Sequence, residues 1–272
     1  MFQVDESARL ARESGLSVAV PAIGWIHGES DYSMTVATYQ TKLIQLKNDY
    51  NTDLLPKTGQ PNRIKLICGQ NSGEQFFATP GVEYECHSAA ATLSASEVDP
   101  EIILAGPAYH IWHRDGVHFD ADGYRQWGQL FGKVYYKVVY RGESWTPLGP
   151  KSIHVHSPRV IVVKFKVPEP PLVLDTFLVT NPGNYGFQVR DVTGSVPITA
   201  VALVNGDTVR LTLGQDLGGS PELSYAWYST GGDLGGPTTG PRGCLRDSDK
   251  TVGVYDSTAL YNWCIHFKKP IL

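Results

Sequence analysis

The first half of the chain switches between two hydrophobic periods. Residues Val18 to Ile26 form an apolar run of strand length that opens into the polar turn His27-Gly28-Glu29-Ser30-Asp31, as expected of a strand buried on both faces. Ahead of it, Ala8, Leu10 and Ala11 among charges predict a short amphipathic helix over Asp5 to Glu13, with Gly15 as its C-terminal cap. From Thr35 onward, Val36, Tyr39, Leu43, Leu46 and Tyr50 recur at helical spacing, and Pro56 is expected to close this helix. Arg63 to Cys68 reads as a second buried strand that ends in Gly69-Gln70-Asn71-Ser72-Gly73. Pro80 to Ser96 reads as a helix, Ile102 to Ala105 as a third strand, and Ala121 to Tyr140 as a long aromatic-rich helix. This alternation predicts right-handed βαβ units, hence an α/β fold with a parallel sheet covered on both faces. Open sheets of this kind usually hold roughly five strands or more. Only three are legible, so one or two amino-terminal βα units are expected to be absent from this sequence.

Near Gly142 to Lys151 the pattern changes. Pro147, Gly149 and Pro150 suggest a linker, and beyond it the runs Arg159 to Val167, Leu172 to Val179, Tyr185 to Arg190, Ile198 to Val204, Thr208 to Leu213 and Leu223 to Tyr228 are strand-like. Asn205-Gly206 between two of them signals a tight hairpin, because both residues tolerate the positive φ angles such a turn needs. The expected organisation is an α/β domain over residues 1–145 and an antiparallel β-sandwich over 146–272, with Gly231 to Gly243 as a surface loop.

Composition narrows the partners. The chain has 272 residues and a net charge of −4, without a Lys/Arg cluster, which argues against nucleic acid and anionic membranes as partners. Its longest apolar run is far short of the roughly 20 residues that span a bilayer. The start Met1-Phe2-Gln3-Val4-Asp5-Glu6 turns polar at once, unlike a signal peptide. Four cysteines, Cys68, Cys86, Cys244 and Cys264, lack zinc-ligand spacing. Cys68 reads as a small buried hydrophobe, while Cys244 and Cys264 are candidates for a disulfide across the second domain.

Chemistry concentrates in two places. Asp115-Gly116-Val117-His118-Phe119 sets a carboxylate three residues before a histidine, a spacing that lets the acid hold Nδ1–H and leave Nε2 free to accept a proton. Asp120 stands at the expected N-cap of the following helix. His27 to Asp31 lies at the carboxyl end of the first strand, where α/β sheets gather their active groups.

His-Gly-Glu-Ser-Asp after a Trp-bearing strand, followed by Asp-x-x-His-Phe with Gly123-Tyr124 beyond, resembles two conserved blocks of the SGNH hydrolases. The similarity is to the sialate O-acetylesterase-like and acetylxylan esterase-like branch, which also occurs as deacetylating domains of phage tailspikes. The resemblance covers about the first half of the chain and implies a flavodoxin-like sheet and a Ser-His-Asp ester hydrolase acting on an acetylated glycan, with His118 as base and Asp115 as its orienting acid. It implies no metal and no organic cofactor. His27 stands where that branch carries a Gln that donates to the oxyanion, a role histidine can also fill. Glu29 is expected to hold the loop through backbone N–H groups, with Ser30 and Asp31 shaping the turn. The family's serine block belongs upstream of both stretches and is not present, nor is the oxyanion glycine. Ser72 and Ser30 remain as minor nucleophile candidates.

His110 and His113, flanking Trp112, are candidates for a sugar-binding wall, while His154 and His156 share one face of a strand without a third metal ligand. Trp145, Trp227, Tyr228 and Trp263 read as core or as glycan platforms. Beside the esterase stands a second expectation, a non-catalytic carbohydrate- or receptor-binding module that keeps the crevice. A third is an esterase completed by a separate or missing amino-terminal segment, or by homo-oligomerisation. A secreted or virion-associated setting would suit either an esterase or a binding module.

Overall fold

In the computed structural model, which describes residues 2–271, helix α1 (Phe2–Glu13) precedes strand β1 (Ala22–Trp25). Helix α2 (Val36–Thr58), strand β2 (Lys65–Gln70), strand β3 (Glu83–Glu85), helix α3 (His87–Val98), strand β4 (Ile102–Pro107) and helix α4 (Ala121–Tyr135) follow, and α4 runs on into a π turn over Tyr136–Tyr140. Strands β1, β2 and β4 form a parallel sheet in that order. Three parallel strands between helices agree with the sequence pattern.

Helix α2 shows how local chemistry sets these elements. Thr35 caps it by accepting the Thr38 N–H through Oγ1 at 3.2 Å. Tyr39 and Leu43 bury against Leu66, Cys68 and Ile102 of the sheet. Asn51, also buried, donates to the Ile64 carbonyl at 3.0 Å and accepts the Ile64 N–H at 2.9 Å, which docks the helix on the entry to β2. Pro56 does not close the helix. Its missing N–H deprives only the exposed Thr52 carbonyl, which water can serve, and the helix ends at Gly59, at φ 67°, whose N–H returns to Leu55.

The helix expected from Pro80 begins only at His87. Residues 83–85 are instead drawn into β3, which pairs with a strand far along the chain, a contact no local pattern announces.

The second half contains β5 (Gly149–Ser157), β6 (Val160–Lys166), β7 (Val173–Leu174), β8 (Phe187–Asp191), β9 (Gly194–Val196), β10 (Ile198–Asn205) and β11 (Thr208–Leu213). It continues with β12 (Glu222–Tyr225), β13 (Tyr228–Thr230), β14 (Leu245–Arg246) and β15 (Phe267–Pro270). Two four-stranded antiparallel sheets result, ordered β10-β11-β6-β5 and β15-β12-β8-β9, and Ile161, Val163 and Leu211 of one share a core with Phe187, Leu223 and Phe267 of the other. The hairpin at Asn205-Gly206 is present, with Asn205 opposite Thr208.

Two expected strands are shorter. The run from Leu172 stops at Leu174, where Asp175 Oδ1 accepts the N–H groups of Phe177 and Leu178 and turns the chain. The run Leu223 to Tyr228 breaks at Ala226, at φ 51°, and its two parts join different sheets. Cys244 and Cys264 form no disulfide. All four cysteines are buried and free, and the Cys244 thiol points instead to the Val179 carbonyl at 3.3 Å.

Polar contacts bind the two halves. Lys133 of α4 is buried and donates to Asp249 Oδ2 at 2.9 Å and Asn262 Oδ1 at 2.7 Å. Burial pulls its ammonium below the usual lysine range, against the opposing pull of Asp249. Replacing Lys133 with Met leaves Asp249 buried without its counter-charge, so Lys133→Met should lose about 3–5 kcal/mol of unfolding free energy, measured by urea denaturation near neutral pH.

Candidate active site

The chain leaves β1 through Ile26 and His27 into a 3₁₀ turn at Glu29–Asp31. Gly28 enters that turn at φ 123°, and a Cβ there would lie 2.6 Å from Asn71 Nδ2 and 3.1 Å from Ser88, so only glycine fits. Beyond β4, the segment before α4 carries Asp115 and His118, with Gly116 at φ 87° against Leu234. Asp120 caps α4 as expected, accepting the Gly123 N–H at 2.7 Å.

Asp115 is organised around His118. Its Oδ1 accepts the backbone N–H groups of Val117 at 3.0 Å and His118 at 2.7 Å, and its Oδ2 lies 2.9 Å from His118 Nδ1. The His118 N–H, the His118 ring and the Val117 N–H together hold the Asp115 carboxyl well below the usual carboxylate range. An ionised acceptor at that distance fixes Nδ1 as the protonated ring nitrogen and leaves Nε2 with a lone pair. The pair is open to solvent, the His118 side chain being 67% exposed.

His27 stacks on Trp25 with ring centroids 5.2 Å apart, and its Nδ1 meets the Tyr39 hydroxyl at 3.2 Å. Asp31 Oδ2 is also 3.2 Å from this nitrogen, without the alignment of a hydrogen bond. Burial raises the Glu29 carboxyl above its ordinary range, while its own backbone N–H and the charges of His27 and His118 oppose the rise. Glu29 therefore feels one histidine from each stretch.

The serine candidates part company. Ser72 is 1% exposed, and its Oγ lies 3.0 Å from Nε2 of His266, itself wholly buried. The other ring nitrogen of His266 faces the Ala226 carbonyl, so Nε2 accepts from Ser72. Burial pushes this imidazole down to about 4. Ser30 sits exposed on the Glu29–Asp31 turn. Among the described residues no serine hydroxyl bonds His118.

The remaining candidates scatter. His113 is buried with Nδ1 on the Ile111 carbonyl at 2.8 Å, and His110 stacks on Trp263 with centroids 5.5 Å apart, so neither presents its ring as a wall, whereas Trp112 between them is exposed. Burial takes His110 down to about 3 and His113 to about 4. Trp227 and Trp263 are buried, and Trp145 is half-buried with Nε1 donating to the Leu104 carbonyl at 2.9 Å. His154 and His156 are exposed on β5. Among the described residues, no group of three or more His, Cys, Asp or Glu side chains is placed to hold a metal ion, and no helix is long and apolar enough to cross a membrane.

A cavity of about 1080 Å³ lies at the opposite end, against the first residues of β2 and β4 and the segment around Trp145. Among its charged groups, Arg63 pairs with Glu101 at 2.6 Å and Lys269 with Glu97 at 2.9 Å. Neither Asp115 nor His118 lines this cavity.

Missing from the sequence reading was the buried network beneath the two loops, Gln70, Asn71, Glu74 and Ser88 with His266. The run of polar residues from Gln70 to Gln75 directly after an apolar strand was its only local signal.

No protein-family model matches this sequence, and no curated protein matches it. Among solved structures, a carbohydrate acetylesterase from Xanthomonas citri superimposes with a TM-score of 0.59 at 13% identity, over 92% of this chain and 50% of that one. The S-layer protein SbsC is 11% identical over 82% of this chain and 23% of that one, and its TM-score of 0.25 bears on nothing. The chain thus spans about half the length of the acetylesterase and shares with it a mixed α/β fold followed by a β-rich region.

Proposed function

We propose that the chain carries the acid–base half of a serine ester hydrolase site of SGNH type, which removes acetyl groups from a glycan. The observation that carries this reading is the Asp115 Oδ2 to His118 Nδ1 contact of 2.9 Å at the carboxyl end of the parallel sheet, with Nε2 left open. The fold shared with a carbohydrate acetylesterase supports the choice of substrate class. In the reaction, His118 Nε2 takes the proton of a serine hydroxyl as that oxygen attacks the acetyl carbonyl. The imidazolium, held by Asp115, returns the proton to the departing sugar oxygen, and water then releases acetate from the acyl-serine by the same steps. In the tautomer in which the Tyr39 hydroxyl donates to Nδ1, His27 presents Nε2–H to the oxyanion.

Ser72 is committed to His266 and closed to solvent, which leaves Ser30 of the two candidates, or a serine supplied by another chain, as the attacking group. A glycan-binding module that retains the crevice is the second reading, favoured by the absence of a serine–His118 hydrogen bond among the described residues.

With Ser30 as the attacking group, the wild-type chain should hydrolyse p-nitrophenyl acetate, and His118→Ala should lower kcat/KM by about 10²-fold or more. Asp115→Asn should lower it comparably by releasing the tautomer. Inert wild-type protein that still binds acetylated xylan would favour the second reading. Ser72→Ala should leave hydrolysis intact while costing about 1–3 kcal/mol of stability, because a buried imidazole nitrogen loses its donor; thermal unfolding alongside the assay separates the two effects.

A further inference from the structure

We propose that Glu74 is a positioning residue for the Glu29–Asp31 turn, acting through Tyr84 by a proton that decides which of two acceptors the tyrosine hydroxyl serves. This rests on the esterase reading only for its effect on turnover.

Glu74 opens a 3₁₀ turn at Glu74–Phe77 and is fully buried. Its Oε2 accepts the Ser88 N–H at 3.0 Å and the Ser88 hydroxyl at 2.8 Å, and lies 3.0 Å from the Tyr84 hydroxyl, while Oε1 has no partner. The same Tyr84 hydroxyl lies 2.8 Å from the Tyr32 carbonyl. A phenol has one proton. When Glu74 is ionised, both neighbours of that phenol are acceptors and one goes unserved, a costly state for a buried oxygen. When Glu74 carries a proton on Oε2, it donates to the phenol oxygen and the phenol donates to Tyr32, so both contacts of the phenol are served and only Oε1 stays without a partner.

The tyrosine is attached to something that matters. Tyr32 directly follows the Glu29–Asp31 turn, whose Asp31 bonds back to the Gly28 carbonyl at 3.1 Å and faces His27 at 3.2 Å. The same carboxyl also reaches the entry to that turn, because Ser88 Oγ accepts from Asn71 Nδ2 at 2.6 Å and both side chains close off Gly28. Losing the Tyr84 bond to Tyr32 therefore loosens the loop that carries His27 and Glu29.

Burial raises the Glu74 carboxyl to about 7, against the Ser88 and Tyr84 hydrogen bonds that lower it. Tyr84 on β3 and Cys86 before α3 are the titratable groups that face it, and its charge pushes both of them up. Ser88 from α3 is neutral, and among the described residues no Lys, Arg or His side chain bonds the carboxyl. The folded carboxyl holds its proton more tightly than the unfolded one. Its contribution to stability is accordingly full below the ordinary Glu range, falls as pH rises to about 7, and is level above.

The test is carboxyl and amide NMR of the full chain across about pH 5 to 9, on wild type, Glu74→Gln and Tyr84→Phe. One glutamate signal should titrate near neutrality and vanish in Glu74→Gln, and the amides of residues 28–34 should shift with the same midpoint. In Glu74→Gln no carboxyl remains to titrate at this position, so those shifts should lose their pH dependence. In Tyr84→Phe the carboxyl should still titrate while the amides no longer follow. Amides that titrate in Glu74→Gln as in wild type, or a Glu74 ionised throughout, would overturn the proposal. If Glu74→Gln does not fold, the wild-type and Tyr84→Phe titrations decide it. With an active enzyme, the several-fold alkaline loss of kcat/KM in wild type should be absent from Glu74→Gln. An inert enzyme removes that arm alone and leaves the NMR outcome decisive.

Discussion

The arrangement depends on one buried amide. Gln70 ends β2 without solvent exposure, and its side chain donates to the Ala89 carbonyl at 2.9 Å and the His266 carbonyl at 3.0 Å while accepting the His266 N–H at 2.9 Å. Its backbone carbonyl accepts the Ala108 N–H at 2.9 Å. One residue thus joins the carboxyl ends of β2 and β4 to α3 and to the approach to β15. Buried polar groups that lose a partner are expensive, so this register has no cheap alternative. Tyr109, whose hydroxyl donates to the Cys264 carbonyl at 2.7 Å, repeats the tie one step along. The floor under the candidate site is consequently part of the antiparallel half as much as of the parallel sheet, and the apolar cluster around Leu104, Tyr109 and Ile265 runs across the same seam.

Histidine serves opposite ends in this molecule, and water decides which. His118 stands in solvent beside a carboxylate that three hydrogen bonds keep ionised, so its ring can take and return a proton. His266, His110 and His113 lie inside, where desolvation keeps the imidazole neutral and each ring serves packing or fixed hydrogen bonds. The Ser72–His266 pair has the distances and the tautomer of a nucleophile and its base, yet it is sealed. Geometry without access is structure, not chemistry.

Carboxyl groups divide in the same way. Asp115 accepts three N–H groups and is driven to the charged form, whereas Glu74 is buried with one oxygen unpartnered and is driven toward the neutral one. A solvated acid orients a base, and a buried acid becomes a hydrogen-bond donor near neutral pH.

What could be read from the sequence was whatever depends on neighbours in the chain. The apolar runs of the three parallel strands, the N-cap at Asp120, the hairpin at Asn205-Gly206 and the Asp115–His118 contact all involve residues within a few positions of one another, where period and spacing carry the physics. Pro56 misled because a missing N–H costs little where the deprived carbonyl faces water. The conversion of residues 83–85 to a strand, the break at Ala226, the free state of Cys244 and Cys264, and the burial of Ser72 under His266 were decided by partners far along the chain. Burial and long-range pairing exist only once the halves have packed, and they alone determined which serine, which histidine and which carboxylate remained in contact with water.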